Sequence, residues 1–178
     1  MSISKDPVSY MVRPGKLEDS EAILDIQKSV VSEGEFLIAL STEFNKTSSQ
    51  QSEWVQSILD HERETLLVAE SEGEVVGWIV FEMAKNRMRL SHTGTFGMMI
   101  RKGYREMRIG SMLLQALLDW AESNPFIEKV SLGVFASNHG AITLYKKMGF
   151  IEEGRKVKEF KMSENEYVDD ILMYKLVK

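Results

Sequence analysis

A basic stretch lies directly ahead of the most strongly patterned helix in this sequence. Arg101, Lys102, Arg105 and Arg108 all fall within RKGYREMR, and a helical apolar pattern begins at Ile109. The start of a helix exposes unpaired backbone N–H groups and carries a partial positive charge. A strand that turns into such a helix is therefore suited to binding an anion. The stretch predicts a site for a phosphate-bearing ligand, with a plain solvated turn as the alternative.

Several other kinds of site lack the residues they need. The 178-residue chain has no cysteine, and its three histidines are widely spaced, so we expect neither a thiolate nucleophile nor a metal site. The net charge is −5 and no basic cluster is long enough for a nucleic-acid interface, so we expect no nucleic-acid partner. No apolar run reaches the length of a bilayer span, and the N-terminus has no signal-peptide core. We therefore expect no membrane association and a cytoplasmic location.

The elements that must position the basic stretch predict an α/β fold. Apolar residues recur at helical spacing from Ile109 to Trp120 and indicate a core helix. Two β-branched runs on either side of Gly73 predict a β-hairpin. The remaining runs complete the order β-α-α-β-β-β-α-β-α-β-β. An antiparallel meander followed by a βαβ-like crossover predicts one domain over residues 1–178, with a mixed sheet and helices on both faces.

Helix boundaries are predicted from polar and glycine residues. We expect Asp19 or Ser20 to cap the first helix. The polar stretch from Thr42 to Glu53 indicates a loop or the beginning of a helix, and the second helix is expected over Glu53 to Glu62. Gly149 is expected to end the last helix in the left-handed conformation.

The segment SNHGAITLYKKMGF is the most specific motif in the chain. It resembles the pattern N-x-x-A-x-x-L-Y-x-K-x-G-F of the GNAT superfamily of N-acetyltransferases. The opening MVRPGKLEDSEAILDIQ and the hairpin LLVAESEGEVVGWIVF are also similar to that family, so the resemblance covers nearly the whole chain. The ending ENEYVDDILMYKLV resembles the branch that contains ribosomal-protein N-terminal and polyamine acetyltransferases.

The cofactor loop differs from the family pattern at one position. Arg105 and Gly110 match R/Q-x-x-G-x-G/A, but Arg108 stands where the first glycine is usual, and Glu106 adds a negative charge beside the expected phosphates. We expect Arg108 to keep helical φ/ψ and to direct its side chain outward. The resemblance implies that acetyl-CoA binds along this strand, loop and helix, at Met98, Met99, Ile100, Arg105, Glu106, Met107, Arg108, Ile109, Gly110, Ser111, Asn138 and Lys147.

Acetyl transfer from a thioester to an amine requires few protein groups, and the resemblance assigns them. Tyr145 is implied as the general acid for the departing thiolate, with packing on its helix face as the alternative. A phenol has a reference pKa of about 10 against roughly 8.5 for a thiol. Asn138 is expected to cap its helix, to bind the pantetheine arm, or both. The backbone of Met98 to Ile100 is expected to pair with the pantetheine like an added strand, with an N–H near Met99 polarising the carbonyl.

The general base and the acceptor amine are less defined. Glu82, His92 and a water chain remain open as the base. The resemblance places the acceptor site between the first two helices, roughly from Val31 to Gln51, where Glu33, Glu35 and Glu43 are candidates to bind an amine or are simply solvated.

We therefore predict a cytosolic N-acetyltransferase that uses acetyl-CoA and a primary amine on a small molecule or a peptide N-terminus. The resemblance to the branch of ribosomal-protein N-terminal and polyamine acetyltransferases also leaves open whether the protein forms a homodimer. A non-catalytic acyl-CoA-binding or regulatory module on the same fold is the alternative. A nucleotide-binding α/β domain is weaker, since neither GxGxxG nor GxxxxGK[ST] occurs.

Overall fold

Seven strands form one sheet in the order β1-β2-β3-β4-β5-β7-β6. The computed structural model describes residues 8–178. The strands are β1 (Tyr10–Pro14), β2 (Thr65–Ser71), β3 (Glu74–Glu82), β4 (Thr93–Ile100), β5 (Lys129–Phe135), β6 (Ile151–Lys161) and β7 (Tyr167–Leu176). The helices are α1 (Ser20–Glu33), α2 (Ser48–Leu59), α3 (Ile109–Ser123) and α4 (His139–Lys147). This is the element order predicted from the sequence, and the α/β class is confirmed.

Different helices cover the two faces of the sheet. Successive side chains of a strand point to opposite faces, so Trp78 and Val80 of β3 pack in the cluster that α1 and α2 complete. Ile79 and Phe81 point the other way, into the larger cluster built on α3. The apolar stripe of α3 is buried there, and α4 packs on the same side. Each face has its own core, so the sheet is held rigidly from both sides.

The sheet opens between β4 and β5. These two strands are parallel, whereas the other neighbouring strands are antiparallel. They pair only from Thr93 to Thr95, against Lys129 to Ser131. Beyond this point β4 continues to Ile100 and β5 to Phe135 without pairing to each other. The two strands therefore face a gap with backbone groups that have no partner strand.

Helix α2 begins at Ser48, so the predicted start at Glu53 is wrong. Thr47 and Gln50 form a capping box: Thr47 Oγ1 accepts from the Gln50 backbone N–H at 3.2 Å, and Gln50 Oε1 accepts from the Thr47 N–H at 2.9 Å. These polar residues belong to the first turn of a helix, although their composition also suits a loop. The capping box shortens the segment between α1 and α2.

Two predicted caps have different outcomes. Asp19 occupies the N-cap position of α1, but its carboxylate makes no cap bond there. It accepts instead from Arg13, at 2.8 and 2.9 Å, and from the Lys16 backbone N–H. Gly149 follows α4 with φ of +93°, so the prediction of a left-handed glycine at this end is confirmed.

Candidate active site

A cavity of about 1370 Å³ lies where β4 and β5 separate. Its walls come from both strands, from the start of α3, from α4 and from the segment between α1 and α2. Met98, Met99 and Ile100 of β4 line one side, opposite Leu132 to Phe135 of β5. The unpaired backbone edge of β4 runs along this wall, so an extended ligand arm has peptide groups to pair with there.

Most of the predicted cofactor residues meet at this cavity. Those that line it are Met98, Met99, Ile100, Arg105, Glu106, Arg108, Ile109, Gly110, Ser111 and Asn138. Met107 lies outside its wall and accepts a hydrogen bond from the Tyr10 hydroxyl through its sulfur, at 2.9 Å. Lys147 is exposed at the end of α4 and does not line the cavity either. The basic loop and the motif around Asn138 therefore converge, although they are separated in sequence.

The first turn of α3 points its free end into this space. Backbone N–H groups at the start of an α-helix have no internal partner, and here they belong to Ile109, Gly110 and Ser111. Arg108 occupies the N-cap position, and its side chain makes no cap hydrogen bond. An α-helix of this length carries a partial positive charge at its start. The cavity therefore has the donors and the potential that a phosphate group requires.

Arg108 does not keep helical φ/ψ, so that expectation is wrong. Its φ of +62° and ψ of +9° lie in the left-handed region, and Glu106 has a φ of +61°. The chain reverses between the end of β4 and the start of α3, and this turn imposes the left-handed conformation that glycine adopts without strain. A residue with a Cβ pays about 1–2 kcal/mol for it. The side chain of Arg108 is exposed at the cavity wall.

Arg105 is held by two elements beside the cavity. Its Nε and Nη2 donate to the carbonyl oxygen of Ile100, at 3.2 and 3.1 Å. Its Nη1 donates to Glu33 Oε2 at the end of α1, at 2.8 Å.

Of the three predicted acceptor carboxylates, Glu33 and Glu35 line the cavity. Glu43 does not, and its carboxylate accepts from the Leu40 backbone N–H within the loop.

Tyr145 lies in the cavity wall among aromatic side chains. Its ring packs edge-on against Phe96, with centroids 5.5 Å apart, and contacts Phe150 at 6.1 Å. Burial raises the pKa of Tyr145 to about 12, because the phenolate loses hydration there. Within residues 8–178 no group forms a hydrogen bond with its hydroxyl, so that proton is available to a ligand. Packing of Tyr145 on its helix face is confirmed, and its role as general acid stays a prediction.

Asn138 caps α4. Its Oδ1 accepts from the Ala141 backbone N–H at 3.2 Å. The same residue lines the cavity, so its side chain holds the start of α4 at the cavity wall. This cap orders the first turn of α4, and Tyr145 projects from the last turn of the same helix.

The two candidate bases lie elsewhere. Glu82 accepts a hydrogen bond from Trp54 Nε1 at 2.8 Å and lines a second, smaller cavity of about 540 Å³. His92 offers its backbone carbonyl to Glu128 and Lys129 and lines neither cavity. Thr95 is the residue that both cavities share. The structure therefore does not place either side chain beside Tyr145.

Sequence reasoning missed Asp170 and the aromatic pair beside it. Asp170 of β7 lines the main cavity together with Phe135 and Phe160, whose rings stack at 4.1 Å. Burial raises the pKa of the Asp170 carboxyl. The only sequence signal is an acidic residue inside a strand, which is uncommon. Which residues of β5 it would meet depends on strand pairing that no local pattern encodes.

No helix within residues 8–178 is both long and apolar enough to cross a bilayer. In the same range, no three acidic or histidine side chains come together as metal ligands would.

Comparison with known proteins agrees with this site. Over 120 residues the chain is 30% identical to an L-amino acid N-acetyltransferase of Escherichia coli, covering 67% of this chain and 73% of that protein. It is 27% identical over 176 residues to an N-alpha-acetyltransferase of Sulfolobus acidocaldarius, covering 93% and 90%. A Salmonella typhimurium protein solved with its cofactor acetyl-CoA superposes with a TM-score of 0.84, at 18% identity, over 96% of this chain and 95% of that one.

The family model spans the elements that build the cavity. Residues 35–150 match the acetyltransferase (GNAT) family, from the segment after α1 through the end of α4. The match includes the separated part of β4, the start of α3 and Tyr145. The family predicted from the sequence is confirmed: this chain belongs to the acetyltransferase (GNAT) family and is an N-acetyltransferase.

Proposed function

We propose that this enzyme transfers the acetyl group of acetyl-CoA to a primary amine of a small molecule or a peptide N-terminus. The observation that carries the proposal is the gap between β4 and β5, which has an uncapped helix start at one end and Tyr145 in its wall. The named relatives support the acyl acceptor class, since one acts on L-amino acids and another is an N-alpha-acetyltransferase. These relatives also count against a non-catalytic acyl-CoA-binding module.

The start of α3 is proposed to bind the pyrophosphate. The N–H groups of Gly110 and Ser111 and the partial charge of the helix are suited to an anion, and Arg108 adds a full positive charge. Gly110 has no side chain that would obstruct this approach. A Cβ there would lie 3.4 Å from Ile100 Cδ1 and Met98 Cε, so this glycine also allows α3 to pack closely on β4.

The edge of β4 is proposed to position the pantetheine arm. Residues 98–100 have no partner strand on the side that faces β5, so their peptide groups are free to pair with the amides of the arm. Acetyl-CoA brings a thioester, which is already activated toward an amine. An N–H of this edge near Met99 would donate to the thioester oxygen as negative charge develops there.

Tyr145 is proposed as the general acid. The amine nitrogen forms a bond to the acetyl carbon, the carbon–sulfur bond breaks, and the sulfur takes the phenolic proton. The amine releases its own proton to solvent. The pKa of about 12 keeps Tyr145 protonated at neutral pH, which a proton donor requires. The phenolate that remains is a strong base, so Tyr145 regains its proton from water.

The test measures acetyl transfer from acetyl-CoA to a panel of primary amines, with thiol release and the mass of the product as the two readouts. A product about 42 mass units heavier than the amine supports the proposal if it forms only when both acetyl-CoA and the amine are present. This increase corresponds to one acetyl group added per product. A thermal shift provides a second readout, because ligand at about 100 times its Kd adds about 2.7 kcal/mol and raises Tm by roughly 5–11 °C. Binding of acetyl-CoA without transfer to any amine would instead indicate the non-catalytic module.

The homodimer and the cytoplasmic location stay predictions. A homodimer is tested by sedimentation at several protein concentrations, in which a dimer gives a mass of twice that of the 20.3 kDa chain. The cytoplasmic location predicted from the sequence is tested by fractionating the cells that produce the protein.

A further inference from the structure

The carboxylate of Asp170 occupies the space beside a glycine in the cavity wall. A Cβ built on Gly133 would lie 3.0 Å from Asp170 Oδ1 and 3.4 Å from Oδ2. Gly133 belongs to the part of β5 that has separated from β4, and β7 pairs with β5 on its other side. The missing side chain at Gly133 therefore lets a carboxylate from the neighbouring strand reach the cavity.

This carboxylate has no ion-pair partner among residues 8–178. Its neighbour Asp169 is bound to Arg155 at 3.0 Å and to the Lys158 backbone N–H. Lys156 faces Asp170 across the β6–β7 pairing, but its ammonium group lies 3.9 Å from Glu159. Partial burial raises the pKa of Asp170, Lys156 lowers it, Glu159 raises it, and a hydrogen bond from the backbone N–H of Val134 lowers it. A desolvated carboxylate without a fixed counter-ion is stabilised by a cationic ligand.

Aromatic side chains line the cavity together with Asp170. The stacked rings of Phe135 and Phe160 line the cavity beside it. Across the cavity, the segment after α1 contributes Phe36 and Ile38, which are 41% and 75% exposed. Side chains of this kind suit a ligand with an aromatic or aliphatic body.

Positive charge is confined to the other end of the cavity. The lysine and arginine side chains that line it are Arg105 and Arg108, beside the start of α3. Arg105 is already paired with Glu33, at 2.8 Å. Lys156, whose charge acts on Asp170, does not line the cavity, so an acceptor with a carboxylate next to its amine would find Asp170 and aromatic rings without a lysine or arginine of the wall beside them.

We propose that Asp170 binds the ammonium group of the acceptor, and that the acceptor is a primary amine with an apolar or aromatic body and no carboxylate. This inference rests on the proposed function, because it assigns the acceptor side of the same cavity. It separates this chain from its L-amino acid N-acetyltransferase relative, whose acceptors carry a carboxylate.

The experiment compares 2-phenylethylamine with L-phenylalanine, which has the same body plus a carboxylate. Direct binding is measured by calorimetry, and kcat/KM by acetyl-CoA-dependent thiol release. We expect wild-type protein to prefer 2-phenylethylamine by at least tenfold in both measurements. Asp170→Asn should raise KM for this amine about 10- to 100-fold, the range of one lost charged contact, and leave KM for acetyl-CoA unchanged.

Matched variants separate a binding role from a structural one. Asp169→Asn removes the same charge one residue away and should leave both amine constants within about threefold. Asp170→Glu keeps the charge and should keep the preference for the amine without a carboxylate. If Asp170→Asn does not fold, Gly133→Ala gives the same test, because its methyl group would displace the carboxylate.

The outcomes distinguish this inference from the proposed function. Wild-type protein that binds 2-phenylethylamine through Asp170 but acetylates no amine would overturn the proposed function and support the binding role. Acetylation of L-phenylalanine at least as efficient as that of 2-phenylethylamine would overturn the inference and leave the enzyme assignment in place. Unchanged amine constants in Asp170→Asn would also overturn it.

Discussion

Arg105 and Glu33 form an ion pair that joins the loop before α3 to the end of α1, with Nη1 2.8 Å from Oε2. The second carboxylate oxygen of Glu33, Oε1, is buried and has no hydrogen-bond partner among residues 8–178. Both residues line the cavity proposed to bind acetyl-CoA. The arginine that best matches the family loop therefore lies between the proposed phosphate site and a carboxylate of the protein itself.

Replacing Glu33 should strengthen cofactor binding. Glu33→Gln removes a negative charge from the cavity and frees Arg105 to face a phosphate group. We expect Kd for acetyl-CoA to fall roughly fivefold, since an interaction between unit charges at about 4 Å near a surface lies between about 1 and 4 kcal/mol and solvent screens it. Isothermal titration calorimetry measures this change.

The control for this prediction is the similar ion pair between Asp25 and Arg101, at 2.6 Å, which also joins α1 to the basic stretch. Neither of its members lines the cavity. Asp25→Asn should therefore leave Kd for acetyl-CoA unchanged. Weaker binding in Glu33→Gln would show that the pair positions Arg105 rather than competing for it.

Replacing Arg108 with glycine should stabilise the fold. Arg108 has a φ of +62°, and relief of left-handed strain gains about 1–2 kcal/mol, against about 0.5–1 kcal/mol of added backbone entropy in the unfolded chain. A net gain near 1 kcal/mol raises Tm by roughly 2–4 °C for a chain of this size. Differential scanning calorimetry measures the shift.

Arg108→Ala separates strain from charge. Alanine removes the guanidinium group but keeps the Cβ that causes the strain, so we expect no rise in Tm. Equal stabilisation by alanine and glycine would show that charge repulsion in the basic stretch, rather than backbone strain, is relieved.

Tyr145 should titrate above the ordinary range of a phenol. Burial raises its pKa from 10.0 to about 12. A folded-state pKa above the unfolded value stabilises the fold below about pH 10, and this contribution is lost as the pH rises from 10 toward 12. Tyr145→Phe should therefore remove a late step from the phenolate absorbance titration and flatten the loss of stability in that window.

The comparison for this titration is Tyr167→Phe, since Tyr167 is 42% exposed and lies far from the cavity wall in β7. Its removal should leave the late step of the titration in place. A Tyr145 step below pH 10 would contradict the burial argument.

The fold could be predicted largely from local patterns. The apolar stripe that begins at Ile109 fixes α3, and the runs around Gly73 fix the hairpin of β2 and β3, because both signals lie within short windows. The start of α2 was misplaced since Thr47 and Gln50 have the composition of a loop. Their role as a capping box depends on side-chain geometry.

The site could be predicted only where a motif is contiguous. Asn138 and Tyr145 fall in one segment, and the structure places both at the cavity. The backbone of Arg108 was predicted wrongly, since its conformation is imposed by the turn between β4 and α3. Asp170 was missed because its place beside Gly133 results from the pairing of β7 with β5, which are distant in sequence.

The most direct test of the central claim is the rate of acetyl transfer in Tyr145→Phe, measured together with Kd for acetyl-CoA in the same preparation. The phenyl ring keeps the packing on Phe96 and Phe150, so we expect the variant to fold and to bind acetyl-CoA within about twofold of wild type. We predict that kcat falls about 10²- to 10⁴-fold, which is the usual contribution of a general acid to the rate. An unchanged kcat in a folded variant that binds acetyl-CoA normally would contradict the role of Tyr145 in this cavity.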